Sequence, residues 1–112
     1  MIVMTTLGPG GTVGGGLGRA ARVAVAEVAD GQIGAWEEVE VGWDRLHDEG
    51  TEGSHHARIA RFLKEQAVEL VVAEHMGLGM QRMLATMGIR LVSGGRGEAQ
   101  QAVLDAVASE AG

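Results

Sequence analysis

Between two stretches of helical periodicity lies an unbroken apolar run, Leu70-Val71-Val72-Ala73. Successive strand residues point to opposite faces, so such a run cannot leave one face in water. It predicts a strand over Glu69 to Glu74 that is covered on both sides, as a central strand of a parallel sheet is. Such a sheet needs helices on its faces, and the rest of the chain supplies them. Ser54 can cap a helix in which Ile59, Phe62, Leu63 and Gln66 or Ala67 follow helical spacing. Leu78 to Met87 reads as a second helix ended by Gly88, and Gly97 to Ser109 as a third, with a C-terminal tail from about residue 109. Ile89 to Val92 is a short strand between the last two.

The N-terminal half reads differently. Ile2 to Leu7 is a short buried strand, and Arg22 to Ala29 a second, rich in Val. Asp30-Gly31 is a hairpin turn signal. Ile33 to Trp43 is a third strand, in which Val39 and Val41 alternate against Glu38 and Glu40. That alternation predicts one solvated face and an edge position. Between the first two strands, the glycine-rich stretch Gly8 to Gly18 reads as a flexible loop. The order is β-β-β-α-β-α-β-α in one domain over residues 1–112. It predicts a three-layer α/β fold: a five-stranded mixed sheet of order 3-2-1-4-5, strand two antiparallel, with helices on both faces.

Composition narrows the function. Nine Lys and Arg against a net charge of −6 argue against a nucleic-acid surface, which needs clustered positive charge. The absence of cysteine removes disulfides, thiol catalysis and thiolate ligation of metals. No apolar run approaches the roughly 18 residues of a membrane span. Met1 to Leu7 has no basic segment ahead of a long apolar one, so a strand is expected there rather than a signal peptide, in a cytoplasmic protein. No spacing resembles a hydrolase elbow or a triad.

The predicted topology places the C-terminal ends of the parallel strands on one rim, where open α/β sheets bind ligands. All four histidines fall on that rim. His47, His55 and His56 lie between strand three and the first helix, and His75 directly follows the central strand. Imidazole is the commonest protein metal ligand. His55 and His56 read as opening a helix, where adjacent residues point about 100° apart and rarely bind one ion together. One of them is expected to face the rim while the other packs near Ile59 or meets solvent. His47, among Asp44, Asp48, Glu49 and Glu52, reads as part of a solvated acidic loop. Gly77-Leu78-Gly79 opens a helix whose N–H groups and dipole favour an anion. Gly94-Gly95-Arg96-Gly97 adds a guanidinium, and Arg19 a second positive charge. Met76 and Met80 read first as packing residues. Tight turns alone also account for these glycines.

Several segments together resemble a known family. They are Leu17-Gly18-Arg19-Ala20, then Val25 to Ile33, then Val71-Val72-Ala73 followed by Met76-Gly77-Leu78-Gly79, and Met87 to Val92 with Gly97-Glu98-Ala99 downstream. Their order and spacing resemble the dinitrogenase iron–molybdenum cofactor biosynthesis domains, NifX-like proteins and the C-terminal domain of NifB-type proteins, from Ile2 to about Val107. The resemblance implies a ribonuclease H-like α/β fold. It also implies a non-catalytic domain that binds or carries an iron–sulfur or iron–molybdenum cluster. On this reading Gly18, Arg19, Gly77, Gly79 and Arg96 surround the anion, and His75 with His55 or His56 ligates metal. The partners would be the small anionic cluster and a cluster donor or acceptor protein. One position departs from the pattern: family members active on the nitrogenase cofactor often carry a histidine just before a Phe-Gly pair, where this chain has Gly16 and Leu17. An interaction or regulatory module that has lost its cluster is therefore the alternative. A ribonuclease H-like nuclease fits less well, because strand one carries no acid to hold the metal ions it would need.

Overall fold

Val3, Met4 and Thr5 have no solvent contact, nor do Leu70 and Val71, and Val72 has almost none. These six residues pair in parallel as Val3–Leu70, Met4–Val71 and Thr5–Val72. The computed structural model describes residues 1–111 and builds outward from this pair. The strands are β1 (Ile2–Leu7), β2 (Arg22–Ala29), β3 (Gln32–Glu40), β4 (Leu70–Val72) and β5 (Arg90–Val92). The sheet order is β3-β2-β1-β4-β5. β2 runs antiparallel to both β1 and β3, and β5 runs parallel to β4. The expected order and directions are those observed.

Alternation along the strands divides the core in two. Met4, Val23 and Val71 face α2 (Glu52–Glu65) and α3 (Leu78–Thr86), packing with Ile59, Leu63, Met80 and Leu84. Val3, Ala26, Leu70 and Val72 face α4 (Ala99–Ala111), packing with Val103 and Ala106. The result is three layers, with helices on both faces of the sheet. Asp30 and Gly31 both take positive φ, 54° and 72°, as a two-residue type I′ hairpin requires. None of the helices among the described residues is long and apolar enough to cross a membrane.

Several boundaries differ from the sequence reading. The third strand stops at Glu40 instead of Trp43, because Gly42 turns left-handed (φ 65°) and starts α1 (Trp43–Leu46). Trp43 is buried and meets Phe62 edge-on at 5.5 Å. The helix expected to start at Ser54 is capped by Thr51 instead. The Thr51 hydroxyl accepts from the Ser54 N–H, and the Ser54 hydroxyl accepts from the Thr51 N–H, each at 3.0 Å. This reciprocal capping box moves His55 and His56 into the helix proper. The last helix starts at Ala99, where the Glu98 carboxylate accepts from the N–H groups of Gln100 and Gln101 at 2.7 and 3.1 Å. It continues to Ala111, past the tail expected from about residue 109, of which only Gly112 lies outside the described residues.

The stretch Gly8 to Gly18 is not the free loop its composition suggests. Val13 and Leu17 are buried, and backbone hydrogen bonds tie Gly8 to Thr12, Val13 to Gly97 and Gly15 to Glu74. Two buried apolar side chains and three tethers outweigh the conformational freedom of the glycines between them.

Both helices of the first layer end alike. Val68 N–H reaches Leu63 O and Ala67 N–H reaches Lys64 O after α2. Ile89 N–H reaches Leu84 O and Gly88 N–H reaches Ala85 O after α3. Each is a Schellman motif, which places one residue left-handed. That residue is Gly88 in one case (φ 73°) and Ala67 in the other (φ 57°). A left-handed alanine is disfavoured by roughly 1–2 kcal/mol, partly offset by glycine's greater freedom when unfolded. Ala67→Gly is expected to stabilise the protein by about 0.5–1 kcal/mol, read as a higher urea midpoint at unchanged slope.

Candidate functional site

Beyond its three paired residues, β4 continues as Ala73-Glu74-His75 toward the rim. The chain returning from the glycine-rich loop runs alongside it. Glu74 N–H donates to Gly15 O at 3.2 Å, and Gly16 bridges His75 in parallel. The His75 ring lies directly over Gly16: a Cβ at that position would stand 2.6 Å from Cε1 and 2.9 Å from Nδ1. Real Cβ atoms do not approach so closely, so the ring occupies space that only a glycine leaves open. The second histidine also lies against a glycine, less tightly. A Cβ on Gly79 would stand 3.0 Å from Cε1 of His56.

These two imidazoles line one cavity of about 400 Å³. One wall is Gly16 to Arg19, the other Met76 to Met80, and α2 contributes Glu52 and His56. Nothing caps the start of α3: Gly77 is its N-cap and offers no side chain. The first N–H groups of a helix have no partner within it, so the N-terminus of α3 presents donors and a partial positive charge to the cavity. Arg19 adds a guanidinium from the opposite wall. Leu78, at the mouth, is 69% exposed.

His55 does not join them. Its ring is buried, with Nε2 2.7 Å from Gly18 O and Nδ1 2.8 Å from Nη1 of Arg58. A guanidinium only donates and a carbonyl only accepts. Both contacts are therefore hydrogen bonds when Nδ1 is the acceptor and Nε2 carries the proton. With both nitrogens engaged, His55 is no metal ligand in this structure; it holds the Gly18 carbonyl and with it the wall that carries Arg19. The expectation that one of the two adjacent histidines faces the rim and the other packs is met, His56 being the one at the cavity. His47 stays in its loop, with Nδ1 2.9 Å from Asp48 and its ring 6.4 Å from that of His55.

Arg96 is also displaced from its expected place. It lines a separate cavity of about 280 Å³ between β5 and α4, with Ser93 and Asp105. The reason is topological: the loop after β5 turns toward the α4 face, whereas the histidine cavity opens on the α2–α3 side. Among the described residues, no three of His, Cys, Asp and Glu converge to hold a single metal ion. Gly18, Arg19, Gly77, Gly79, His56 and His75 are brought together; His55 and Arg96 are not.

Glu52 is the cavity residue that sequence reasoning missed. Its carboxylate is 3.9 Å from Nε2 of His56, one turn on. Starting the helix at Ser54 left Glu52 in the loop. Reading Thr51-Glu52-Gly53-Ser54 as a capping box would have put Glu52 and His56 at i and i+4 on one face.

The family model described as dinitrogenase iron-molybdenum cofactor matches residues 1–110. The chain belongs to that family. Three solved structures share its fold. The apo form of the orange protein from Desulfovibrio gigas is 23% identical, with a TM-score of 0.78 over 97% of this chain and 88% of that one. The protein PH0822 is 19% identical, with a TM-score of 0.74 over 98% and 92%. A Thermotoga protein, TM1290, described as NifB-type and of the DUF35 family, is 21% identical, with a TM-score of 0.68 over 96% and 87%. No curated protein matches the chain.

Two substitutions separate the pinned histidine from the open one. His55→Ala leaves the Gly18 carbonyl unpaired and is expected to destabilise by about 1–3 kcal/mol, with amide shifts centred on Gly18 and Arg19. Gly16→Ala is expected to cost about 1 kcal/mol or less, because the exposed His75 ring can swing aside. Its signature is a displaced His75 Cε1–H resonance, and an unchanged resonance would show that the ring does not rest on Gly16.

Proposed function

We propose that the rim cavity binds and carries a small anionic metal cluster of the iron–sulfur or iron–molybdenum class. The cluster is cargo passed between a donor and an acceptor protein. The observation that carries this reading is the pair of imidazoles, His75 and His56, each laid on a glycine backbone and facing one cavity beside an uncapped helix N-terminus. The imidazoles supply nitrogen ligands for metal. Arg19 and the N–H groups of Leu78 and Gly79 meet the negative charge of the cluster's outer atoms. Membership of the family supports the same class of ligand, and no residue of the cavity is assigned a catalytic step.

The incomplete ligand set suits this role. Two imidazoles, with no third protein ligand converging on them among the described residues, leave coordination positions open for the cluster's own atoms or for a partner, so the cargo stays exchangeable. The position where family members active on the nitrogenase cofactor often carry a histidine is Gly16 here. The space beside it is filled by the imidazole of His75. An imidazole thus reaches that wall from β4 rather than from the loop, which favours retained binding over a module that has lost its ligand.

Anaerobic reconstitution with iron, sulfide and molybdate tests the reading. Stoichiometric metal is expected on the wild-type chain. His75→Ala and His56→Ala should each weaken retention on the order of 10–100-fold, whereas Arg96→Ala, in the other cavity, should retain it fully. A chain that takes up no metal, or a His75→Ala variant that holds it as tightly as wild type, would sink the proposal.

A further inference from the structure

A second concave surface lies further along the same two helices. Ala57 and Ala60, three residues apart on α2, face Met83 of α3 and Met87 at its C-cap, and leave a shallow apolar groove of about 650 Å³. Two alanines where helix pairs usually interlock larger side chains make the trough. Arg61 and Lys64 border it, and no acidic side chain lines it. Both cations are exposed, and among the described residues neither reaches a carboxylate within 4 Å. By contrast, Arg22 and Arg90 are each engaged by a glutamate. In a chain of net charge −6, unpaired cations beside an apolar trough are a local reversal of sign.

We infer that this groove docks an acidic amphipathic helix of another protein. A trough between two packed helices can seat a third, which inserts an apolar stripe at i, i+3, i+4 and i+7. Ala57 to Lys64 spans about 10 Å at 1.5 Å per residue, enough for two turns of such a stripe. Methionine walls adapt to unlike side chains. Arg61 and Lys64 select glutamates or aspartates flanking the stripe, and repel a basic helix. The opposite ends of α2 and α3 carry His56 and Gly77 to Gly79, so a protein docked here lies beside the rim cavity. The inference needs no metal in that cavity.

Selection from a display library of helix-forming peptides, with the apolar stripe fixed and the flanking positions randomised, tests it on the full chain. The expected result is enrichment of Glu and Asp in the flanks. Amide shifts on binding should centre on Ala57, Ala60, Lys64, Met83 and Met87. Arg61→Gln with Lys64→Gln, both exposed and free of carboxylate partners among the described residues, should weaken binding several-fold, and raised salt should weaken it further in the wild type. Neutral or basic flanks, no binders, or shifts confined to the rim cavity would overturn it. So would a homodimer broken by Arg61→Gln, or equal binding to phosphatidylglycerol vesicles.

Discussion

The pairing of β1 with β4 is the constraint on which the rest depends. Its six residues are shut off from water on both faces, so neither strand can slip by one residue without turning its side chains into the wrong layer. That register decides where each strand ends. It sets His75 just beyond β4 and brings the chain leaving β1 back alongside it at Gly15 and Gly16. The rim cavity is thus an extension of the central pairing past the point where regular strands stop. Burying apolar side chains at the middle of the sheet fixes the positions of polar ones at its edge.

Much of this was legible in the sequence because the signals are local and strong. An unbroken apolar run marks a doubly covered strand, alternation marks an edge, and Asp30-Gly31 marks a hairpin. Together they were enough for strand order and direction. Side-chain partners were not legible, because they depend on contacts between distant segments. His55 and His56 are neighbours of identical chemistry. Only the meeting of α2 with the Gly18 backbone separates one as a structural pin from the other as a cavity residue. Its place after a parallel strand points Arg96 to the rim. Which face its loop turns toward is decided by α4 packing on the far side of the sheet. The glycine-rich loop departs from its composition for a related reason. Composition reports the freedom of its backbone but not that Val13 and Leu17 would bury themselves in the core.

Two kinds of histidine therefore serve one cavity. His55 has both nitrogens committed and holds a wall in place. His56 and His75 rest against glycine backbones on the cavity side, with Glu52 one turn from His56. The same layer of helices carries the cavity at one end and the apolar groove further along, so the proposed cargo site and the proposed docking groove rest on the same two helices.

The seating of those two rings has a consequence for how the site responds to mutation. Part of it is specified by atoms that are missing: an imidazole crowds the Cβ position of Gly16, and another lies in tight contact with that of Gly79. Alanine scanning finds functional residues by taking atoms away, and it treats glycine to alanine as the mildest of changes. Here one added methyl group at either position competes with a ring for the same volume. A scan for lost side chains would pass over both positions, and a scan that adds bulk would find them.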